Sequence, residues 1–105
     1  MSESALTNSA IIAAYQERTP GSAKLAAAAK SLLPSGITHD TRYIEPYGIY
    51  VERAQGARKW DADGNEYVDY YGGHGALLLG HRHPKVMAAV EAQLGNAFCS
   101  ANQIC

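Results

Sequence analysis

The chain has 105 residues, a formal net charge of -1 and a hydrophobic share of 47%, much of it alanine. That length fits one small domain or a piece of a larger one, with a thin core at best. The balanced charge leaves no basic stripe for nucleic acid, and no apolar run approaches the length that spans a bilayer. The opening MSESALTNS lacks the basic and apolar regions of a signal peptide, so a cytoplasmic protein is expected.

Ser2 to Arg18 reads as a helix with Ala5, Leu6, Ile12, Ala13 and Tyr15 as its apolar positions, broken at Thr19-Pro20-Gly21. Ser22 is the predicted N-cap of a second helix through Leu33, with Leu25, Ala26, Ala29, Leu32 and Leu33 on one face and Pro34-Ser35-Gly36 ending it. Faces this shallow suit docking onto something larger, so residues 1–36 are grouped as a helical N-terminal arm. Residues 37–47 show no period but hold His39, Asp40, Arg42 and Tyr43. Such a segment is either a binding loop or a solvated connector.

Gly48 to Arg53 alternates as a strand, Gln55-Gly56 marks a turn, and Ala57 to Trp60 resumes a strand. Asp61-Ala62-Asp63-Gly64 is a second turn, and Glu66 to Tyr71 a third strand, which predicts an antiparallel meander. Gly72-Gly73-His74-Gly75 permits unusual dihedrals and close backbone approach. Ala76 to Leu79 reads as an apolar plug. Pro84 starts a helix whose buried stripe would be Val86, Ala89, Val90 and Leu94, closed by Gly95. The fold class expected is α+β, with residues 48–95 holding meander, glycine loop and helix, and 96–105 an unassigned tail.

Asp61-x-Asp63-x-Asn65 resembles the start of a calcium loop, but the glycine comes at the fourth position and Gly72 fills the twelfth, so a hairpin turn is preferred. His81-x-His83 lacks a recognised metal spacing and is expected to bond and cap backbone where the loop enters the helix. Cys99 and Cys105 read as ordinary reduced thiols. A dinucleotide fingerprint would need glycine where Leu78 stands. His74, flanked by glycines, is placed to project into a cleft. Arg42 is the best single anion-binding candidate, with a solvated surface arginine as the alternative.

These residues form linked motifs: Ala54-x-Gly56, Trp60-Asp61-x-Asp63-Gly64-Asn65-x-Tyr67-x-Asp69, Gly80-His81-x-His83-Pro84-x-Val86 and Ala89-Val90-x-x-Gln93. In that order they resemble the N-terminal part of the class-III aminotransferases, pyridoxal-phosphate enzymes of fold type I. Upstream, Leu33-Pro34-Ser35-Gly36-Ile37-Thr38-His39-Asp40-x-Arg42 resembles the narrower branch around glutamate-1-semialdehyde 2,1-aminomutase. The resemblance covers roughly residues 22 to 94.

The resemblance implies roles. Arg42 takes the position of the arginine that holds the substrate carboxylate, which makes 37–47 a substrate-side loop. His74 falls where that branch carries a tryptophan, so Gly73 and His74 are substrate-binding candidates, and the change favours an aminotransferase over the aminomutase. Pyridoxal 5'-phosphate is the implied cofactor, a small amino acid the substrate and a homodimer the assembly. The family's Schiff-base lysine has no counterpart among Lys24, Lys30, Lys59 and Lys85. No catalytic residue is therefore assigned. An inactive N-terminal fragment is expected, against the alternative of a small non-enzymatic module that self-associates or binds a partner.

Overall fold

The protein is described by a computed structural model at residues 9–95, with Ser9 described by its backbone only. The elements are α1 (Ser9–Arg18), α2 (Pro20–Lys30), β1 (Val51–Gln55), β2 (Arg58–Asp61), β3 (Glu66–Val68) and α3 (Pro84–Leu94), with 3-10 turns at Pro34–Gly36 and Asp40–Arg42. The strands make one antiparallel sheet in the order β1-β2-β3. The expected α+β class and meander are therefore present. The start of the first predicted helix, the tail 96–105, and both cysteines lie outside the described residues.

The described residues group into two compact units, 9–53 with 59–67 and 54–58 with 68–95. In the first, α2 starts at Pro20 rather than after Ser22, because the fixed φ of proline suits the first helical position. Ser22 is not a cap. It lies buried inside the helix, where its hydroxyl accepts the Tyr50 N–H at 3.1 Å. The helix stops at Lys30 and does not reach Leu33, which Pro34 holds extended at φ -128° and ψ 143°. Arg53 lies over the Trp60 ring, 3.7 Å from its centroid, a cross-strand cation–π pair.

The strands are shorter or shifted relative to expectation. β1 runs Val51–Gln55, and the turn falls at 56–57, where Gly56 has φ 56°. β3 ends at Val68 instead of Tyr71. The cause is Asp69, whose Oδ1 accepts the N–H groups of Tyr71 (3.0 Å) and Gly72 (3.2 Å), a local side-chain turn that competes with the sheet ladder.

α3 starts at Pro84 and closes at Gly95 as expected. Its predicted buried stripe is exposed at Val86, Val90 and Leu94. With Leu79 and Ala89, Val86 and Val90 line only a shallow apolar groove. The predicted plug is also open: hydrogen bonds from Leu77 N–H to Gly72 and from Gly80 N–H to Leu77 close a tight turn, and Leu78 is 92% exposed. Among the described residues no apolar side chain is buried, and the most buried are polar: Thr19, Ser22 and Asp61.

Candidate functional site

The first unit is built around Asp61, which ends β2 and is 2% exposed. Its Oδ2 accepts the Tyr67 hydroxyl at 2.8 Å and the Asn65 amide at 3.0 Å. Its Oδ1 accepts the backbone N–H groups of Asp63 (3.0 Å) and Asn65 (2.8 Å). Burial works against ionising Asp61. The bonds from the Asn65 and Tyr67 side chains and from the two backbone groups outweigh it and hold the carboxyl below its ordinary range. Burial first, and then the bond to Asp61, pushes the Tyr67 hydroxyl up to about 12.

The same turn holds the helical arm. Asp63 accepts the N–H of Gly21 at 2.6 Å and of Ser22 at 3.0 Å, two of the donors that a helix start leaves unpaired. Thus α2 is capped by a carboxylate about forty residues downstream rather than by a neighbour, and Thr19 at the cap position contributes no side-chain cap bond. Asn65 adds a bond to the Arg18 carbonyl at 2.7 Å, which pins the end of α1. Tyr15, in α1, donates to the Tyr47 carbonyl at 2.6 Å, and the two rings stand 5.3 Å apart. Burial, ahead of Tyr47 and Asp61, raises the Tyr15 pKa.

That frame carries the 37–47 loop. Its 3-10 turn is closed locally: His39 Nδ1 and Asp40 Oδ1 both accept the Thr41 N–H, at 3.2 Å and 2.9 Å. Arg42 ends the turn with an exposed guanidinium that donates to Thr38 Oγ1 at 2.8 Å. One of its five N–H donors is used there, and a planar fork can still face a carboxylate. Beside it, Lys30, Gly36, Ile37, Tyr43, Tyr47 and Tyr50 are among the residues lining a cavity of about 210 Å³, and Arg42 stands outside that lining. Tyr43 donates to Glu45, and this bond raises its pKa.

The glycine loop belongs to the second unit. Gly72, Gly73, His74 and Gly75 have φ of 52°, 60°, 60° and 79°, a run of left-handed residues that only glycine adopts without cost. It closes through Gly75 N–H to the Tyr71 carbonyl at 3.0 Å. His74 is the one side chain in that run. It does not project into a cleft lined by described residues: it is exposed and lies against Tyr71, with ring centroids 4.6 Å apart and the Tyr71 hydroxyl 2.7 Å from Nδ1.

The two flanking histidines split. His81 pairs its backbone with Gly56 and puts Nε2 2.6 Å from Asp69 Oδ2. His83 precedes α3 but makes no side-chain cap bond, and its buried Nδ1 has no partner among the described residues, contrary to the capping expected for it. Among the described residues no three potential ligands gather as a metal site. Sequence reasoning missed the Asp63 cap on α2 and the Asp69–His81 contact. Both depend on chain pairs far apart in sequence, and the only local signal was the density of Asp, Gly and His around the turns.

Comparison with known proteins gives this geometry a setting. Residues 40–104 match the family model for class-III aminotransferases. A glutamate-1-semialdehyde 2,1-aminomutase of Methanothrix thermoacetophila is 48% identical over 66 residues, covering 63% of this chain and 15% of that protein. The structure of an omega-transaminase from Sphaerobacter thermophilus superimposes with a TM-score of 0.74 at 37% identity, over 79% of this chain and 19% of that one. A beta-phenylalanine aminotransferase from Variovorax paradoxus gives 0.73 at 29% identity, over 78% and 19%. The chain therefore spans about a fifth or less of the relatives it matches. By the family match over residues 40–104 and the fold it shares with those enzymes, the chain belongs to the class-III aminotransferases, a family of pyridoxal-phosphate-dependent fold-type-I enzymes.

Proposed function

We propose that this chain supplies the N-terminal, substrate-side portion of a pyridoxal-phosphate-dependent transaminase, which passes an amino group between an amino acid and a keto acid. The family match over 40–104 is the observation that carries this reading. In it, residues 1–36 are an arm, 37–47 a substrate-side loop, and 48–95 a platform for the glycine turn. Arg42 binds the substrate carboxylate in a charge-assisted fork. Gly73 offers backbone without a side chain in the way, and His74 shapes the pocket with an imidazole where the aminomutase branch has an indole. That replacement favours transfer to a keto acid over the aminomutase reaction. A cytoplasmic homodimer is the assembly this family membership suggests.

The cofactor, when bound, supplies an electron sink for the substrate's amino carbon. The described residues do not fit its aldehyde end. Lys24, Lys30 and Lys85 are exposed and Lys59 is half-buried on β2, whereas a cofactor lysine needs a desolvated setting. No chemical step is therefore assigned to a residue of this chain.

The 105-residue chain alone is expected neither to hold pyridoxal phosphate covalently nor to turn over. The same chain extended by the segment that completes a class-III aminotransferase is expected to do both. The test is visible absorbance of lysine-bound pyridoxal phosphate, with turnover of β-phenylalanine and 2-oxoglutarate alongside glutamate-1-semialdehyde. Absorbance from the short chain that disappears on replacing one of its four lysines would sink this reading. The second reading, a partner-binding module, draws on the exposure of Leu78, Leu79, Val86, Val90 and Leu94. It is favoured if the extended protein binds no cofactor.

A further inference from the structure

The segment between Asp69 and His81 leaves the meander and returns to it at adjacent residues. Asp69 donates its N–H to the Ala57 carbonyl at 2.8 Å, while His81 exchanges both backbone bonds with Gly56, at 2.9 Å and 2.8 Å. The ends of the loop therefore meet, while Tyr70, Leu78 and Leu79 within it stay exposed, so the neck rather than a packed interior holds it. Gly80 makes the closure possible: a Cβ there would lie 2.8 Å from the Gly56 oxygen.

One side-chain contact ties the two ends directly. His81 Nε2 donates to Asp69 Oδ2 at 2.6 Å, with the Asp69 side chain 6% exposed. The second oxygen of that carboxylate takes the N–H groups of Tyr71 and Gly72, the residues that lead into the left-handed turn. One carboxylate thus holds both the return of the loop and the entry to the turn. The turn is made of backbone that chain preference alone does not maintain at His74.

We propose that Asp69 and His81 are positioning residues: their contact closes the 69–81 loop and fixes the Gly72–Gly75 turn, so that Gly73 and His74 meet the substrate in one geometry. This rests on the reading of that turn as substrate-facing. Neither residue touches substrate. They act through the turn, where a displacement of about an ångström costs up to roughly a hundredfold in rate or affinity.

The test uses the complete, cofactor-loaded protein with β-phenylalanine and 2-oxoglutarate. Asp69→Ala and His81→Ala are expected to speed amide exchange at residues 71–77 and to raise KM for the amino donor on the order of tenfold, with kcat changing less. His81→Gln, which keeps an N–H near the Nε2 position, is expected to recover most of both effects, and it remains informative should the alanine variants fold poorly. Tyr70→Phe is the control, since Tyr70 is 95% exposed within the same loop. His74→Ala reports separately on the turn. If His74→Ala raises KM while Asp69→Ala and His81→Ala leave both KM and loop exchange unchanged, the positioning pair is overturned. Faster exchange without a change in KM, where His74→Ala does raise KM, overturns it equally. If His74→Ala is silent, the substrate-facing reading fails, and the exchange data then decide whether the contact fixes the turn.

Discussion

The first unit holds its loop from beneath, and the second holds its loop by the ends. In the first, Asp61 and Asp63 gather donors from α2, the turn and β3, and Asn65 of the same turn donates to the last carbonyl of α1, so the 37–47 segment is carried by a frame of polar bonds. In the second, Asp69 and His81 close the loop across its neck, and the residues beyond the neck, including Leu78, stay open to solvent. Both solutions use a carboxylate on backbone N–H groups where most small domains would use apolar contacts. Such bonds fix geometry strongly because an unpaired buried partner is costly, yet they bury little area. The two units can therefore have defined turns while no apolar side chain among the described residues is buried.

The contrast can be broken from the first unit. The largest effect is expected from Asp61→Ala, which strands the Tyr67 hydroxyl, the Asn65 amide and two backbone N–H groups. A loss of about 3 kcal/mol in chemical denaturation is expected. The pH dependence of stability follows from the same group. Asp61 gives up its proton at lower pH in the folded chain than in the unfolded one, so the unfolded state binds more protons as pH falls. Its contribution is full above the ordinary carboxylate range and is lost as pH drops through the folded value. At the alkaline end the sign reverses. Folded Tyr67 keeps its proton to about 12 while the unfolded side chain ionises near 10, so stability falls between those values. Denaturation midpoints measured across both windows check the two signs, and Tyr67→Phe should shrink the alkaline slope, leaving the part that comes from Tyr15, whose pKa burial also raises.

A smaller effect is expected from Asp63→Ala, about 1 kcal/mol for a lost helix cap, with Asp63→Asn retaining most of it. Denaturation of the two variants side by side measures the difference. The smallest belongs to the second unit's open side. Leu78→Ser should change stability by less than about 0.5 kcal/mol, since its side chain already faces water. A loss well above that would mean that the leucine is covered in solution.

Much of this was legible from residue types. Pro84 and Gly95 bound α3 as expected, and the Gln55-Gly56 and Asp63-Gly64 turns set a three-stranded meander. Strand and helix ends were less legible, because Asp69 and Pro20 each replace a periodic pattern with a local bond or a fixed φ. Burial was the least legible. The stripe of Val86, Val90 and Leu94 has the right spacing for a buried face, but spacing says which residues share a side and not whether anything lies against them. At the site, Arg42 and His74 stood out by charge and by glycine neighbours. Asp63 and His81 did not, since their partners lie about forty and twelve residues away.

The substrate-side role is tested most directly by Arg42→Ala in the complete enzyme, assayed with two amino donors that differ only by a carboxylate. β-Phenylalanine carries the group, and 1-phenylethylamine lacks it. If Arg42 grips the carboxylate, KM for β-phenylalanine rises about tenfold or more while that for 1-phenylethylamine stays the same, as expected for loss of one charge-assisted pair. Equal changes for both donors, or no change for either, would contradict the account.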